Sequence, residues 1–206
     1  VAITTNGTLL KDKGEAIIRS GLYKVNISLH SFEKQGSPEA QKKYISNCIE
    51  FADKASRLGV LCVLRLWNKT EVQDPAIEEL NEYTLSLLHE HFCEDWTIGA
   101  RGARIHDKLH LEFGERFEWP DAQRESLGER VFCHGLSDHF GILSDGTVIP
   151  CCLDADGEIK LGNIFESDIR NILSSERTLA IKEGFAKKLA AEELCKRCPY
   201  ARRFKI

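Results

Sequence analysis

The chain has 206 residues, enough for one large domain or two small ones around a real hydrophobic core. Hydrophobic residues make up 42% and charged residues 29%, and 28 Lys and Arg against 32 Asp and Glu leave a net charge of −4. That balance excludes a nucleic-acid binder built on a bulk basic surface, and no apolar run approaches the roughly 18 residues of a membrane span.

In chain order, Val1–Thr4 is a short apolar run closed by the Asn6-Gly7 turn signal. Glu15–Ser20 reads as a short helix stopped at Gly21, and Lys24–His30 as a strand with Val25, Ile27 and Leu29 alternating. Ser37-Pro38-Glu39 opens a helix: an N-cap serine, proline at the first helical position, an acid in the first turn. Ile45, Cys48, Ile49, Ala52 and Ala55 then recur at helical spacing, and Gly59 ends the helix. Val60–Leu66 is a nearly continuous apolar strand, and Pro75–Phe92 is a third helix. Such alternation predicts right-handed βαβ units and a parallel sheet. Three units do not close a barrel. With Val1 inside an apparent strand and no Met anywhere, the chain reads as a fragment of a larger α/β protein.

The second half changes character. Thr97–Arg104 reads as a connector, Leu109, Leu111 and Phe113 as a strand, and Trp119-Pro120-Asp121 as the start of a polar loop. Phe140–Leu143, Ser144-Asp145-Gly146 and Thr147–Ile149 form a hairpin pattern. Ile159–Leu161 is a further strand before a Gly162-Asn163 turn. Ser167 or Asp168 caps a helix, and the helical pattern continues from Leu179 to Leu194. The tail from Lys196 to Lys205 is basic and aromatic and reads as a solvated face.

Eight cysteines are many for a chain with no secretory signal, and thiolate metal ligands are a better reading than disulfides. Five fall between Cys133 and Cys198. Twelve residues separate Cys133 from Gly146, four separate Gly146 from Cys151, and Cys195 and Cys198 are spaced x-x. The hairpin folds the Cys133 and Cys151 regions together, while Cys195 and Cys198 sit about one turn apart. Four thiolates suit zinc or an iron–sulfur cluster equally on softness, and spacing alone sets structural zinc slightly ahead. Cys152, facing away from Cys151 in a strand, reads as a small core residue. His106 and His110 read as surface histidines, and His134 as a solvated neighbour of Cys133. Asp145, Asp154 and Asp156, near the cysteines in sequence, are the candidate general bases.

Thr4-Thr5-Asn6-Gly7, Ser28 with His30, and Arg65 stand at or near strand ends, where α/β folds place ligands. ITTNGTLL, VNISLHS, the strand with Leu64-Arg65-Leu66, ILSDGTVIPCCLD and GEIKLGNI together resemble radical S-adenosylmethionine (radical SAM) enzymes with a SPASM or twitch-type auxiliary domain. That family carries Cys-x(9–15)-Gly-x(4)-Cys followed by Cys-x-x-Cys, the pattern of Cys133, Gly146, Cys151, Cys195 and Cys198.

The resemblance implies an α/β fold: the C-terminal half of a partial (β/α)6 TIM-like barrel over residues 1–100, then a small α+β twitch/SPASM-like domain over 101–206. It implies an auxiliary [4Fe–4S] cluster on the four cysteines. It also implies S-adenosylmethionine contacts from Thr5, Asn6, Gly7, Ser28 and Arg65. In the full-length parent it implies a second [4Fe–4S] cluster, a 5′-deoxyadenosyl radical that abstracts a substrate hydrogen, and a flavodoxin- or ferredoxin-type electron donor. The substrate is a peptide or small molecule, and the setting cytoplasmic, with neither nucleic acid nor membrane. The family's Cys-x-x-x-Cys-x-x-Cys loop has no counterpart here, and position 204, where a full SPASM domain continues its cysteines, is Phe. A zinc-stabilised binding module and an ordinary α/β domain with a structural four-cysteine site are the competing readings.

Overall fold

The computed structural model describes residues 1–72, 74–92, 95–116 and 118–203, so Cys93 and the tail beyond Arg203 lie outside the described residues. The chain divides into two units, Val1–Arg116 and Phe117–Ile206.

The first unit is a five-stranded sheet with helices between its parallel strands. β1 (Ala2–Thr5), α1 (Leu10–Arg19), β2 (Lys24–Ile27), α2 (Pro38–Arg57), β3 (Leu61–Lys69) and α3 (Pro75–His91) follow one another. A hairpin, β4 (Gly102–His106) and β5 (Leu109–Glu115), completes the order β1-β2-β3-β5-β4, with β1 at one edge. β1, β2, β3 and β5 are parallel, and β4 runs antiparallel to β5. Because the hairpin pairs with β3, this unit runs to Arg116 rather than ending at residue 100. The stretch expected as a connector contributes β4.

Caps start the long helices where the sequence puts them. Ser37 accepts from the Ala40 amide at 3.3 Å and Asp74 from Ala76 at 2.9 Å, each just ahead of a proline. α1 begins five residues before the predicted Glu15.

The sheet has two unlike faces. Val25, Ile27, Cys62, Leu64, Leu66, Leu109 and Leu111 point to the helices and join Ile45, Ile49, Ala52 and Leu88 in one core. The opposite face is largely polar: Thr4, Asn26 and His110 share a row across the strands with Val63, and Arg65 pairs with Glu112 in the next. The Asn26 amide nitrogen lies 3.2 Å from the Thr4 hydroxyl, and its other amide atom is buried without a partner among the described residues.

The second unit holds a small antiparallel sheet, β6 (Gly141–Ile142), β7 (Thr147–Ile149) and β8 (Gly162–Asn163), with helices α4 (Ile169–Leu173), α5 (Glu176–Ala186) and α6 (Glu193–Lys196). Gly162-Asn163, read as a turn, is itself the third strand, pairing with Thr147 and Val148. The helix expected from Leu179 to Leu194 breaks after Ala186. Lys188 turns left-handed (φ 60°), the Leu189 amide returns to the Gly184 carbonyl at 2.8 Å, and the Lys188 amide to Phe185 at 3.0 Å. That is a Schellman stop, and it sends the chain back across the unit. Val131, Val148, Ile159, Leu161, Ile172, Ile181 and Phe185 form the core. Among the described residues no helix is long and apolar enough to cross a membrane.

Candidate functional site

Backbone stitching places Cys133. The Val131 amide donates to the Lys188 carbonyl at 3.0 Å and the Ala190 amide to Glu129 at 2.8 Å, so the strand entering Cys133 lies along the segment after the Schellman stop. Arg202 straps the same strand, donating to the carbonyls of Arg130 and, at 2.7 Å, Gly128. Leu127 donates to the Lys196 carbonyl at 2.9 Å. Arg177 grips Glu192 through two N–H groups at 2.7 and 2.9 Å, fixing the residue ahead of α6 and Cys195.

The β6–β7 hairpin places Cys151. Its turn closes through Gly146 (φ 86°), where a Cβ would meet the Phe165 ring at 2.6 Å, so this position of the Cys/Gly pattern has no room for a side chain. The Asp145 carboxylate accepts from the Thr147 amide at 3.0 Å, which lowers its pKa. Beyond Cys151, buried Asp154 accepts from the amides of Glu158 and Ile159 at 2.8 and 2.9 Å. Asp145 and Asp154 are thus turn-holding carboxylates, and Asp156 is exposed.

The four thiols converge. A Cβ on Gly135 would lie 3.4 Å from Cys133 Sγ and 3.6 Å from Cys151 Cβ, so those two cysteines flank one glycine. Cys195 feels the charges of Cys133, Cys151 and Cys198, and Cys133 that of Cys198. Cys133, Cys195 and Cys198 pack against the unit's apolar core. Burial is the main reason all four thiols titrate high; Cys151 is pushed up to about 11, and Cys195 is raised further, with the other thiols adding to the effect.

Amide N–H groups oppose that rise at three sulfurs. Gly135 donates to Cys133 Sγ at 3.3 Å, Leu153 and Asp154 serve Cys151, and Tyr200 and Ala201 serve Cys198. Such donors stabilise thiolate and tune an iron–sulfur centre, so the donor set fits a cluster. Among the described residues no group of three His, Cys, Asp or Glu side chains is already placed to hold a single metal ion. Cys152 is exposed rather than core, and His134 pairs with Asp138 at 2.8 Å.

In the first unit, Thr5, Asn6, Gly7 and Ser28 gather at the C-terminal ends of β1 and β2. The Ser28 amide donates to the Thr5 carbonyl at 2.8 Å, and the Tyr44 hydroxyl, on α2, lies 2.6 Å from the Asn6 carbonyl and 3.2 Å from that of Ser28. The Thr5 hydroxyl accepts from the Gly7 amide at 3.1 Å, and Asn6 Oδ1 accepts from the Thr8 amide at 3.2 Å. Arg65 is the middle residue of β3 rather than near its end, on the polar face. His30 lies in a 3-10 turn (Leu29–Lys34), not in the strand, and its Nδ1 faces the Arg65 carbonyl at 3.0 Å. His106 and His110 stand on the two strands of the hairpin. His106 Nε2 meets the buried Ser56 hydroxyl at 3.1 Å, and His110 lies half-buried on the polar face. Tyr44 was missed as an organiser of these strand ends; only its contacts reveal it.

Residues 133–199 match SPASM, an iron-sulfur cluster-binding domain. The chain is also similar to the GTP 3′,8-cyclase of Alkaliphilus metalliredigens (strain QYMF), 33% identical over 78% of this chain and 58% of that one. These similarities support a radical SAM protein with a SPASM domain. A second relative, the GTP 3′,8-cyclase of Helicobacter pylori (strain ATCC 700392 / 26695), is 23% identical over 84% of this chain and 61% of its own. The chain spans about three-fifths of the length of these relatives. The crystal structure of BtrN in an open conformation covers 92% of this chain and 76% of its own, at 15% identity and a TM-score of 0.34.

Proposed function

We propose that this chain is part of a radical SAM enzyme in which Cys133, Cys151, Cys195 and Cys198 hold an auxiliary [4Fe–4S] cluster. The observation that carries this reading is the gathering of the four thiols, with the Gly135 amide donating to Cys133 Sγ at 3.3 Å, inside the segment that matches the iron-sulfur domain. When bound, such a cluster supplies one-electron chemistry. This chain's residues supply the setting. The core beside Cys133, Cys195 and Cys198 keeps water from one side, and the amides of Gly135, Leu153, Asp154, Tyr200 and Ala201 offset negative charge on sulfur.

Thr5, Asn6, Gly7, Ser28 and Arg65 would hold S-adenosylmethionine. The strand-end loop brings backbone groups close, and Arg65 supplies a permanent positive charge. The proposed activity is hydrogen abstraction from a peptide or small molecule. S-adenosylmethionine would be the radical source, a flavodoxin- or ferredoxin-type protein the electron donor, and a second cluster would lie outside this chain. GTP, from the name of the relatives' activity, is the first substrate to test.

Anaerobic reconstitution with iron and sulfide tests the cluster. A brown chain with about four iron and four sulfide is expected. The Cys195→Ser, Cys198→Ser double variant should lose both. A colourless chain that takes up zinc in place of iron would support the binding-module reading instead.

A further inference from the structure

Arg65 owes its pose to its neighbours. Among the described residues its buried Nε makes no hydrogen bond, and Glu112 Oε2 stands 3.5 Å away, close enough for attraction but long for a hydrogen bond. The guanidinium carbon lies 4.5 Å from the centroid of the Trp67 ring, two residues along the same face of β3. Trp67 reaches that place because its neighbour on β5 is glycine: a Cβ on Gly114 would fall 2.7 Å from Trp67 Cδ1 and 2.8 Å from Cγ. The backbone of the same stretch is held by His30, whose Nδ1 lies 3.0 Å from the Arg65 carbonyl oxygen and 3.3 Å from the Trp67 nitrogen.

We propose that Trp67, seated over Gly114, is a positioning residue that presents Arg65 to an anionic oxygen, carboxylate or phosphate, of a bound ligand. The proposal rests on Arg65 being the ligand-contacting residue assigned above. An aromatic face attracts a guanidinium without neutralising it, whereas a bidentate pair with Glu112 would use up its donors. Stacking also removes in advance the side-chain freedom that an arginine loses on binding. The unpartnered Nε–H is then a donor waiting for an acceptor, and a ligand oxygen completes it. Glu112, half-exposed, is the group that yields when the ligand arrives.

The test is an NMR titration of the full chain with sodium acetate, inorganic phosphate and neutral acetamide. It reads the Arg65 Nε–H signal and the backbone amides of Ser28 and Leu66. Saturable shifts are expected with the two anions and not with acetamide; the anion that saturates at lower concentration identifies the favoured group. Trp67→Leu should weaken anion binding about three- to tenfold, the range of a partly desolvated cation–π contact. Trp67→Phe should restore most of it. Gly114→Ala, which displaces the indole without deleting it, should fall between. Melting curves of each variant identify those that fold. If folded Trp67→Leu and Gly114→Ala chains bind anions as the parent does, the positioning role is overturned. If Arg65→Gln keeps the parent's response, the assignment of Arg65 falls and the proposal with it. Equal shifts with acetamide and acetate would remove the anionic ligand.

Discussion

Gly7 is held to glycine by two independent constraints. Its φ of 78° is strained for any side chain, and a Cβ there would sit 2.7 Å from Cys48 Sγ, itself fully buried. Gly7→Ala should cost about 2–4 kcal/mol of stability in the first unit, read from its thermal unfolding. His30 gives a different prediction. Burial is the largest influence on its ring and holds its pKa below the ordinary 6.5, against the raising effects of the Arg65 carbonyl and Glu33; the charges of Arg116 and Arg65 also lower it. The folded chain therefore prefers the neutral ring. The stability this contributes is complete above about pH 6.5 and is lost as pH falls through the lower folded value. Chemical denaturation across pH 4.5–8 should show the parent losing stability on acidification faster than His30→Asn. Equal slopes would show that the ring titrates as it does in an unfolded chain. Neither constraint shows in sequence. NG reads as a turn without its Cys48 neighbour, and VNISLH reads as strand through His30, although the chain leaves the ladder at Ser28.

Among the elements, the caps were legible and the hidden stop was not. Ser37-Pro38 and Pro75 announce helices by local chemistry, and α2 and α3 begin there. The break after Ala186 rests on Lys188 in a left-handed conformation that lysine does not favour, so the local pattern still reads as helix. It follows that Lys188→Gly should stabilise the second unit by about 0.5–1 kcal/mol, seen as a higher melting temperature. A drop would mean that the lysine side chain contributes more than its backbone strain costs. β4 was missed for the opposite reason. Gly102 and Arg104 break any apolar alternation, and the strand exists through pairing with β5. The four cysteines were legible because spacing is itself a chemical signal. The amides that serve their sulfurs were not, since which N–H turns toward a thiol depends on the loops being closed.

At the scale of the whole chain, two separate hydrophobic cores imply two cooperative units. Metal-bound thiolates add stability to the fold that organises them. Stripping the cluster with chelator and reductant should therefore raise hydrogen exchange around Val131, Cys151 and Leu194, while the amides of β2 and β3 stay protected. Uniform loss of protection across both would mean that the units unfold as one. Alternation over the first half predicted the parallel sheet. The division at Arg116 did not follow from it, because the hairpin that extends the sheet lies in the half whose character changes.

β1 lies at the rim of that sheet, with β2 as its only strand partner among the described residues. Four residues of main chain thus expose a row of donors and acceptors that another extended segment could zip onto, and nothing charged within Ala2–Thr5 repels such a visitor. Stickiness would then come from this margin rather than from the greasy interior: concentrated solutions of this chain would cloud by strand addition, and a lysine at Thr4 would clear them.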